Sequence, residues 1–181
     1  MRVLVAFASR HGATQEIAER IARTLCSAGL NAEVVPAGEV KGLAEYDAFV
    51  IGGAAYMFHW LADATNLVRR NRKTLAARPV WLFSSGPIGD ALDAQGRDQK
   101  VVCLPKEMPE LAEAVGARDC QVFFGAYWRD RKPVGLAERF MGMMPAAKAS
   151  IPEGDFRDWP EIEAWASRIA RELGARLPIA Q

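Results

Sequence analysis

Val3-Leu4-Val5-Ala6-Phe7-Ala8 is an unbroken apolar run that stops abruptly at Ser9-Arg10-His11-Gly12-Ala13-Thr14. From Ile17 the apolar residues return at helical spacing, with Ala18, Ile21, Ala22 and Leu25 on the same face. A run without polar alternation predicts a strand buried on both faces, so the segment 9–14 must be a strand-to-helix turn. Such a turn gathers backbone N–H groups and the positive end of a helix dipole at the carboxyl edge of a sheet, here beside the hydroxyls of Ser9 and Thr14. That combination is suited to holding a phosphate. Its spacing matches neither Gly-x-Gly-x-x-Gly nor Gly-x-x-x-x-Gly-Lys-Ser/Thr, which disfavours a dinucleotide fingerprint and an NTPase loop and leaves a single phosphate monoester as the better fit. The competing reading is a structural turn with Thr14 as the helix N-cap.

The rest of the chain repeats the theme. A strand over 2–8 and a helix over 14–28 ending at Gly29 are followed by a strand over 32–36, a connection over 37–46 and a third apolar strand over 47–53. That strand ends in Gly52-Gly53 and opens into Ala54-Ala55-Tyr56-Met57-Phe58-His59-Trp60, small residues first and then aromatics. The glycines allow close approach to a planar ligand and the aromatics could cover its face; the alternative is that Tyr56, Phe58 and Trp60 begin the next helix and pack on the sheet. His59 reads as a hydrogen-bonded surface residue rather than a base.

A helix over 61–77 turns Leu61, Ala64, Val68 and Leu75 inward and Arg69, Arg70, Arg72 and Lys73 outward, the basic run being a solvated face. A strand over 79–84 then opens into Ser84-Ser85-Gly86-Pro87-Ile88-Gly89-Asp90, the third glycine- or hydroxyl-bearing turn to follow a strand. In an open parallel sheet such turns meet at the carboxyl edge, where ligands bind. An irregular polar stretch (91–106), a helix over 109–117 and a strand over 121–127 complete the alternation.

Between 129 and 155 the pattern breaks. Arg129, Arg131 and Lys132 precede a segment whose Leu136, Ala137, Phe140, Met141 and Met144 share one helical face. It reads as a helix packed on its own domain, or as a quinone-side lid, a homodimer contact or a peripheral membrane element. The last helix is marked by Asp158 and Glu161 as a capping pair, Pro160 in its first turn, an apolar face of Ile162, Trp165, Ala166, Ile169 and Leu173, and Gly174 at its end.

The 181 residues suit one domain, and a net charge of +1 gives no sign of a nucleic-acid partner. Three cysteines, Cys26, Cys103 and Cys120, lie far apart with no Cys-x-x-Cys pair, so no disulfide framework or metal site is expected and Cys26 and Cys120 read as small buried hydrophobes. Met1-Arg2 leads straight into the first strand, and no apolar run approaches the roughly 18 residues that span a bilayer, so the expectation is a cytoplasmic protein, with the inner face of the membrane as a peripheral contact.

Ser9-Arg10-His11-Gly12-Ala13-Thr14 resembles the phosphate loop of flavodoxins, Thr/Ser-x-Thr-Gly-x-Thr, and the turns after Gly52 and Ser84 stand where that superfamily grips FMN. Within it, Ser9-Arg10-x-Gly12-x-Thr14, Ile51-Gly52-Gly53-Ala54-Ala55-Tyr56, Gly125-Ala126-Tyr127, Arg139-Phe140-Met141 and Asp158-Trp159 resemble the menaquinone-dependent protoporphyrinogen IX dehydrogenase group. His11 departs from both patterns, and the loop after Ser84 matches that group less closely. The resemblance implies an α/β fold over residues 1–181, a doubly wound five-stranded parallel sheet of order 2-1-3-4-5 with helices on both faces and an insertion (about 128–155) after the last strand. It implies FMN as cofactor, held at the phosphate by Ser9, Arg10, His11, Gly12, Ala13 and Thr14, and flanked at the ring by Ala54, Ala55 and Tyr56 on one side and Ser84, Ser85, Gly86 and Gly89 on the other.

Charge bears on what the flavin would do. Electron carriers of low potential ring their flavin with acids, which disfavour its anionic reduced form, and at about 4 Å one such charge is worth several kcal/mol. The loop 53–60 holds no acid and the loop 84–90 only Asp90. That favours two-electron chemistry with a quinone or other small-molecule acceptor, and no side chain is assigned as a catalytic base; Tyr56, His59 and Trp128 would at most shape the substrate side. An electron carrier docking to redox-protein partners, and a domain that has lost its cofactor, are the competing expectations.

Overall fold

The amino-terminal apolar run becomes β1 (Arg2–Ala8), flanked by a parallel strand on either side, which is why it can lack polar alternation. The structure, a computed structural model, describes residues 1–128 and 152–175. After β1 come α1 (Ala13–Ser27), β2 (Asn31–Pro36), β3 (Ala48–Tyr56), β4 (His59–Trp60), α2 (Ala62–Ala76) and β5 (Val80–Ser85). There follow α3 (Gln99–Val102), α4 (Met108–Val115), β6 (Asp119–Phe123), β7 (Ala126–Tyr127), β8 (Gly154–Asp155) and α5 (Trp159–Glu172).

The parallel strands lie in the order β2-β1-β3-β5-β6, the expected 2-1-3-4-5 once the short β4, an antiparallel return of β3, is set aside. Register is fixed by the two-faced burial: Val5 lies opposite Val34 on one side and Val50 on the other, and Ser84 and Ser85 lie opposite Gly53 and Ala54. A one-residue slip would exchange the two faces. Val3, Val5 and Phe7 pack with Trp81, Phe83 and Phe123 under α1 and α5, whereas Leu4, Ala6 and Ala8 pack with Phe49, Ile51 and Leu82 under α2 and α4.

The sequence marks of α5 are realised except for the return half of its capping pair, since the Glu161 carboxylate accepts from Lys100 and Gln121 instead of from the cap. The Asp158 carboxylate accepts the Glu161 N–H at 2.9 Å, and Ile162, Trp165, Ala166 and Ile169 are buried. Trp165 meets the rings of Phe83 and Phe123 edge-on at 6.1 and 5.6 Å, and its indole N–H donates to Asp119 at 2.7 Å.

Four expectations are corrected. β3 runs on through Ala54, Ala55 and Tyr56, which belong to a hairpin instead of a loop. The last strand does not continue to 127: β6 stops at Phe123, and β7 leaves the sheet to pair antiparallel with β8 because the Gly125 carbonyl accepts the Phe156 N–H at 3.0 Å and the Gly125 N–H donates to Pro87. The stretch 91–106 is not wholly irregular, since it contains α3. Cys26 and Cys120 are exposed, the first near the end of α1, where its thiol lies 3.7 Å from the Ala32 carbonyl, and the second near the start of β6, the edge strand. Arg129, Arg131, Lys132 and the apolar face from Leu136 to Met144 lie outside the described residues. Among the described residues no helix is long and apolar enough to cross a membrane.

Candidate functional site

The carboxyl ends of β1, β3 and β5 lie side by side, so the three turns that follow them share one edge of the sheet. In the first, Gly12 takes the left-handed conformation (φ +89°, ψ −18°) that glycine adopts without strain, and its N–H donates to the Ser9 hydroxyl at 3.0 Å. Gly12, and not Thr14, is the N-cap of α1, and no side chain caps the helix. Glu16 is the first residue whose N–H bonds back, to the Gly12 carbonyl at 3.0 Å. The N–H groups of Ala13, Thr14 and Gln15 precede it and have no helical acceptor. An uncapped start to a helix of 15 residues, entered through a left-handed glycine, fits a phosphate monoester.

Thr14 is buried, and its hydroxyl lies 2.7 Å from that of Ser85, so the first turn and the third are joined by a hydrogen bond. Ser84, also buried, donates to the Gly53 carbonyl at 3.3 Å. These serines, singled out as flavin contacts, link the loops to one another. Gly86 is pressed against the second loop, where an added Cβ would stand 2.9 Å from that of Ala55. Gly89 holds a left-handed φ of +95°. Arg10 spans from the first turn to the second, its guanidinium carbon 4.3 Å over the Tyr56 ring. His11 is half-buried in the same turn.

The second loop is a tight hairpin. Met57 (φ +49°) and Phe58 (φ +65°) form a two-residue turn with both central residues left-handed, a geometry usually given to Asn-Gly. Three anchors hold it: the Trp60 indole N–H donates to the Gly53 carbonyl at 3.0 Å, the Lys106 N–H donates to the Phe58 carbonyl, and Glu107 takes both His59 Nδ1 (2.6 Å) and the Trp60 N–H (3.1 Å). Trp60 is therefore core, while Met57 and Phe58 are exposed at the tip.

Burial works to raise the Glu107 carboxyl, but the hydrogen bonds from His59 and the Trp60 N–H hold it below the ordinary glutamate value. A depressed carboxylate stabilises the fold above its unfolded pKa, and that stability is lost as pH falls through the folded pKa. The urea midpoint is therefore expected to fall on acidification below about pH 4.5, and Glu107→Gln should flatten that part of the profile. An unchanged acid limb in the variant would show that Glu107 is not a pH-sensitive anchor.

Two residues of the neighbourhood were not read from the sequence. Glu107 is one; its pairing with the hairpin is invisible across 48 positions. Arg157 is the other: Asp155-x-Arg157 signals at most the local fork to Asp155, whereas the reach of its guanidinium to the first turn of α1 spans 141 positions.

Residues 4–149 match the Flavodoxin domain family. In three dimensions the chain is similar to a cysteine-to-serine mutant of flavodoxin from Pseudomonas aeruginosa, with a TM-score of 0.60 at 17% identity over 97% of this chain and 100% of that one. It is similar to rubredoxin oxygen:oxidoreductase from Desulfovibrio gigas (0.58, 11% identity, 96% of this chain and 36% of that one). A third is the flavodoxin, WrbA-like protein from Agrobacterium tumefaciens (0.54, 13% identity, 94% and 96%). At these identities the likeness is one of fold. No curated protein matches the chain in sequence.

Proposed function

The chain belongs to the flavodoxin-domain family, which implies FMN as its cofactor, and from that premise we propose that it is an FMN-dependent oxidoreductase moving electrons two at a time. Ser9, Arg10, His11, Gly12, Ala13 and Thr14 would hold the phosphate; Ala54, Ala55 and Tyr56, with Ser84, Ser85, Gly86 and Gly89, would border the ring. FMN supplies hydride or electron transfer when bound. The protein contributes placement and charge.

The observation that carries this reading is the electrostatic character of the rim. Residues 9–14 and 53–60 contain no acid, and Arg10 lies over Tyr56 between them. Among the described residues of the neighbouring loops, Asp93 is paired with Arg97 and Asp155 with Arg157, and the Glu107 carboxylate is hydrogen-bonded to His59 and the Trp60 N–H, whereas Asp90 lies in the third loop. Negative charge gathered on a reduced cofactor would meet little repulsion there. The more specific version, quinone-linked oxidation of protoporphyrinogen IX, is supported by the family-like motifs, with the quinone or another small molecule as acceptor.

A second reading, an electron carrier without a substrate of its own, is favoured by Met57 and Phe58, which present an apolar tip beside the site to a redox-protein partner. Anaerobic assay of FMN-loaded protein with protoporphyrinogen IX and a menaquinone analogue separates the two. Porphyrin formation coupled to quinone reduction is the expected result. Rapid electron exchange with a flavodoxin reductase, with no turnover of the porphyrinogen or of other two-electron donors, would replace the enzyme reading by the carrier. Homodimerisation and membrane contact through 129–148 are read out by light scattering and vesicle sedimentation of the same sample.

A further inference from the structure

We infer that Arg157 is a positioning residue for the phosphate site: it partly offsets the charge of Glu16 beside the uncapped helix start and fastens that start to β8. The inference rests on the FMN reading above. Arg157 lies between β8 and α5, and its side chain is only 6% exposed. Its Nε and Nη2 donate to the two oxygens of Asp155 at 2.7 and 2.6 Å, a fork that fixes the plane of the guanidinium. Its Nη1 then points at α1, donating to Glu16 at 2.9 Å and to the Ala13 carbonyl at 3.3 Å. The guanidinium carbon stands 4.4 Å over the Trp159 ring, which covers the group from one side.

Ala13 is the first residue of α1, so the bond to its carbonyl holds the peptide unit next to the N–H groups that face the ligand. Glu16 sits in the first turn of the same helix. A carboxylate there suits the helix dipole when the site is empty, yet it opposes a phosphate carrying about −1.5 to −2 charge within the same turn. Arg157 reduces the conflict: its single positive charge stands between Glu16 and Asp155, so the Glu16 carboxylate stays favourable to the helix while its repulsion of the ligand is partly offset. Because Asp155 belongs to β8 and β8 pairs with β7, the same guanidinium sets the height of the phosphate turn against the strands that close the insertion.

Riboflavin, which lacks the phosphate, separates this role from mere structural support. Dissociation constants for FMN and riboflavin, read by quenching of flavin fluorescence, are compared in the intact protein, Arg157→Gln, Glu16→Gln and the double variant. Arg157→Gln is expected to weaken FMN by about tenfold, the order of one charge at a helix start, with riboflavin unchanged, and Glu16→Gln added to it should restore most of the loss. Glu16→Gln alone, a change on the exposed side of α1 that leaves the Arg157–Asp155 fork in place, should raise the preference for FMN over riboflavin about threefold. Equal weakening of both flavins in Arg157→Gln, or tight FMN binding in it, overturns the inference while leaving the FMN site standing. Should Arg157→Gln not fold, an unchanged flavin preference in Glu16→Gln overturns it. An intact protein that binds neither flavin overturns the FMN reading, and this inference with it.

Discussion

Gly52→Ala is expected to lower the stability of this protein by about 3 kcal/mol, a large share of what a domain of this size possesses. An added Cβ at Gly52 would stand 1.9 to 2.3 Å from three atoms of the Phe83 ring. The far end of a side chain can often swing away from such a clash, but Phe83 cannot: it is fully buried, with Phe123 at 6.1 Å and Trp165 at 6.1 Å from its centroid. The strain must then pass into β3 or β5, whose carboxyl ends carry the second and third loops. Gly42→Ala, where an added Cβ meets nothing within 4 Å, is the control and should be nearly neutral. Phe83→Leu in the Gly52→Ala background should recover part of the loss, because the clashing ring atoms are gone. Urea unfolding followed by tryptophan fluorescence measures all three, and a Gly52→Ala midpoint equal to that of Gly42→Ala would show that the two strands are not held as close as described.

Ser9→Ala combined with Thr14→Val is expected to weaken FMN at least about a hundredfold, since each lost hydrogen bond to a charged group is worth about 1.5–3 kcal/mol. The two hydroxyls act differently in the free protein. Ser9 accepts the Gly12 N–H and so keeps that residue in its left-handed turn, whereas Thr14 is locked to Ser85. Thr14→Val keeps the shape of the side chain but leaves the buried Ser85 hydroxyl without that partner, so a stability loss of about 1–3 kcal/mol should accompany the loss of affinity. Ser9→Ala, at a half-buried position, should affect binding with little change in stability. Equilibrium titration with FMN beside urea unfolding distinguishes the two effects. Undiminished FMN affinity in the double variant would remove the phosphate from this turn.

The same residues show how far the chain could be read before it was folded. Val3 to Ala8, with alternate residues facing each helix layer, could only be a strand covered on both faces, and the turns at Ser9, Gly52 and Ser84 had to share an edge once the strands were parallel. The capping pair Asp158 and Glu161 announced α5. Less legible was the segment 54–60. Its aromatic residues read as a cover for a planar ligand or as the start of a helix, and neither reading contained the hairpin, which is held by Trp60 folding back onto Gly53 and by Glu107 arriving from the start of α4. Ser84 and Ser85 stand as ring contacts through the family resemblance; what the chain alone did not show is that their hydroxyls also join the loops, one bonded to Gly53 and the other to Thr14.

What the sequence by itself determined is the alternation of buried strands and amphipathic helices and the chemistry of the turns between them, since periodicity, caps and glycines act within a few neighbouring residues. Tertiary structure alone decided which turns touch and which charges are paired. Arg157 reaches Glu16 across 141 positions and Glu107 holds His59 across 48, pairings set by the crossing of strands and helices in space and carrying no trace in local spacing.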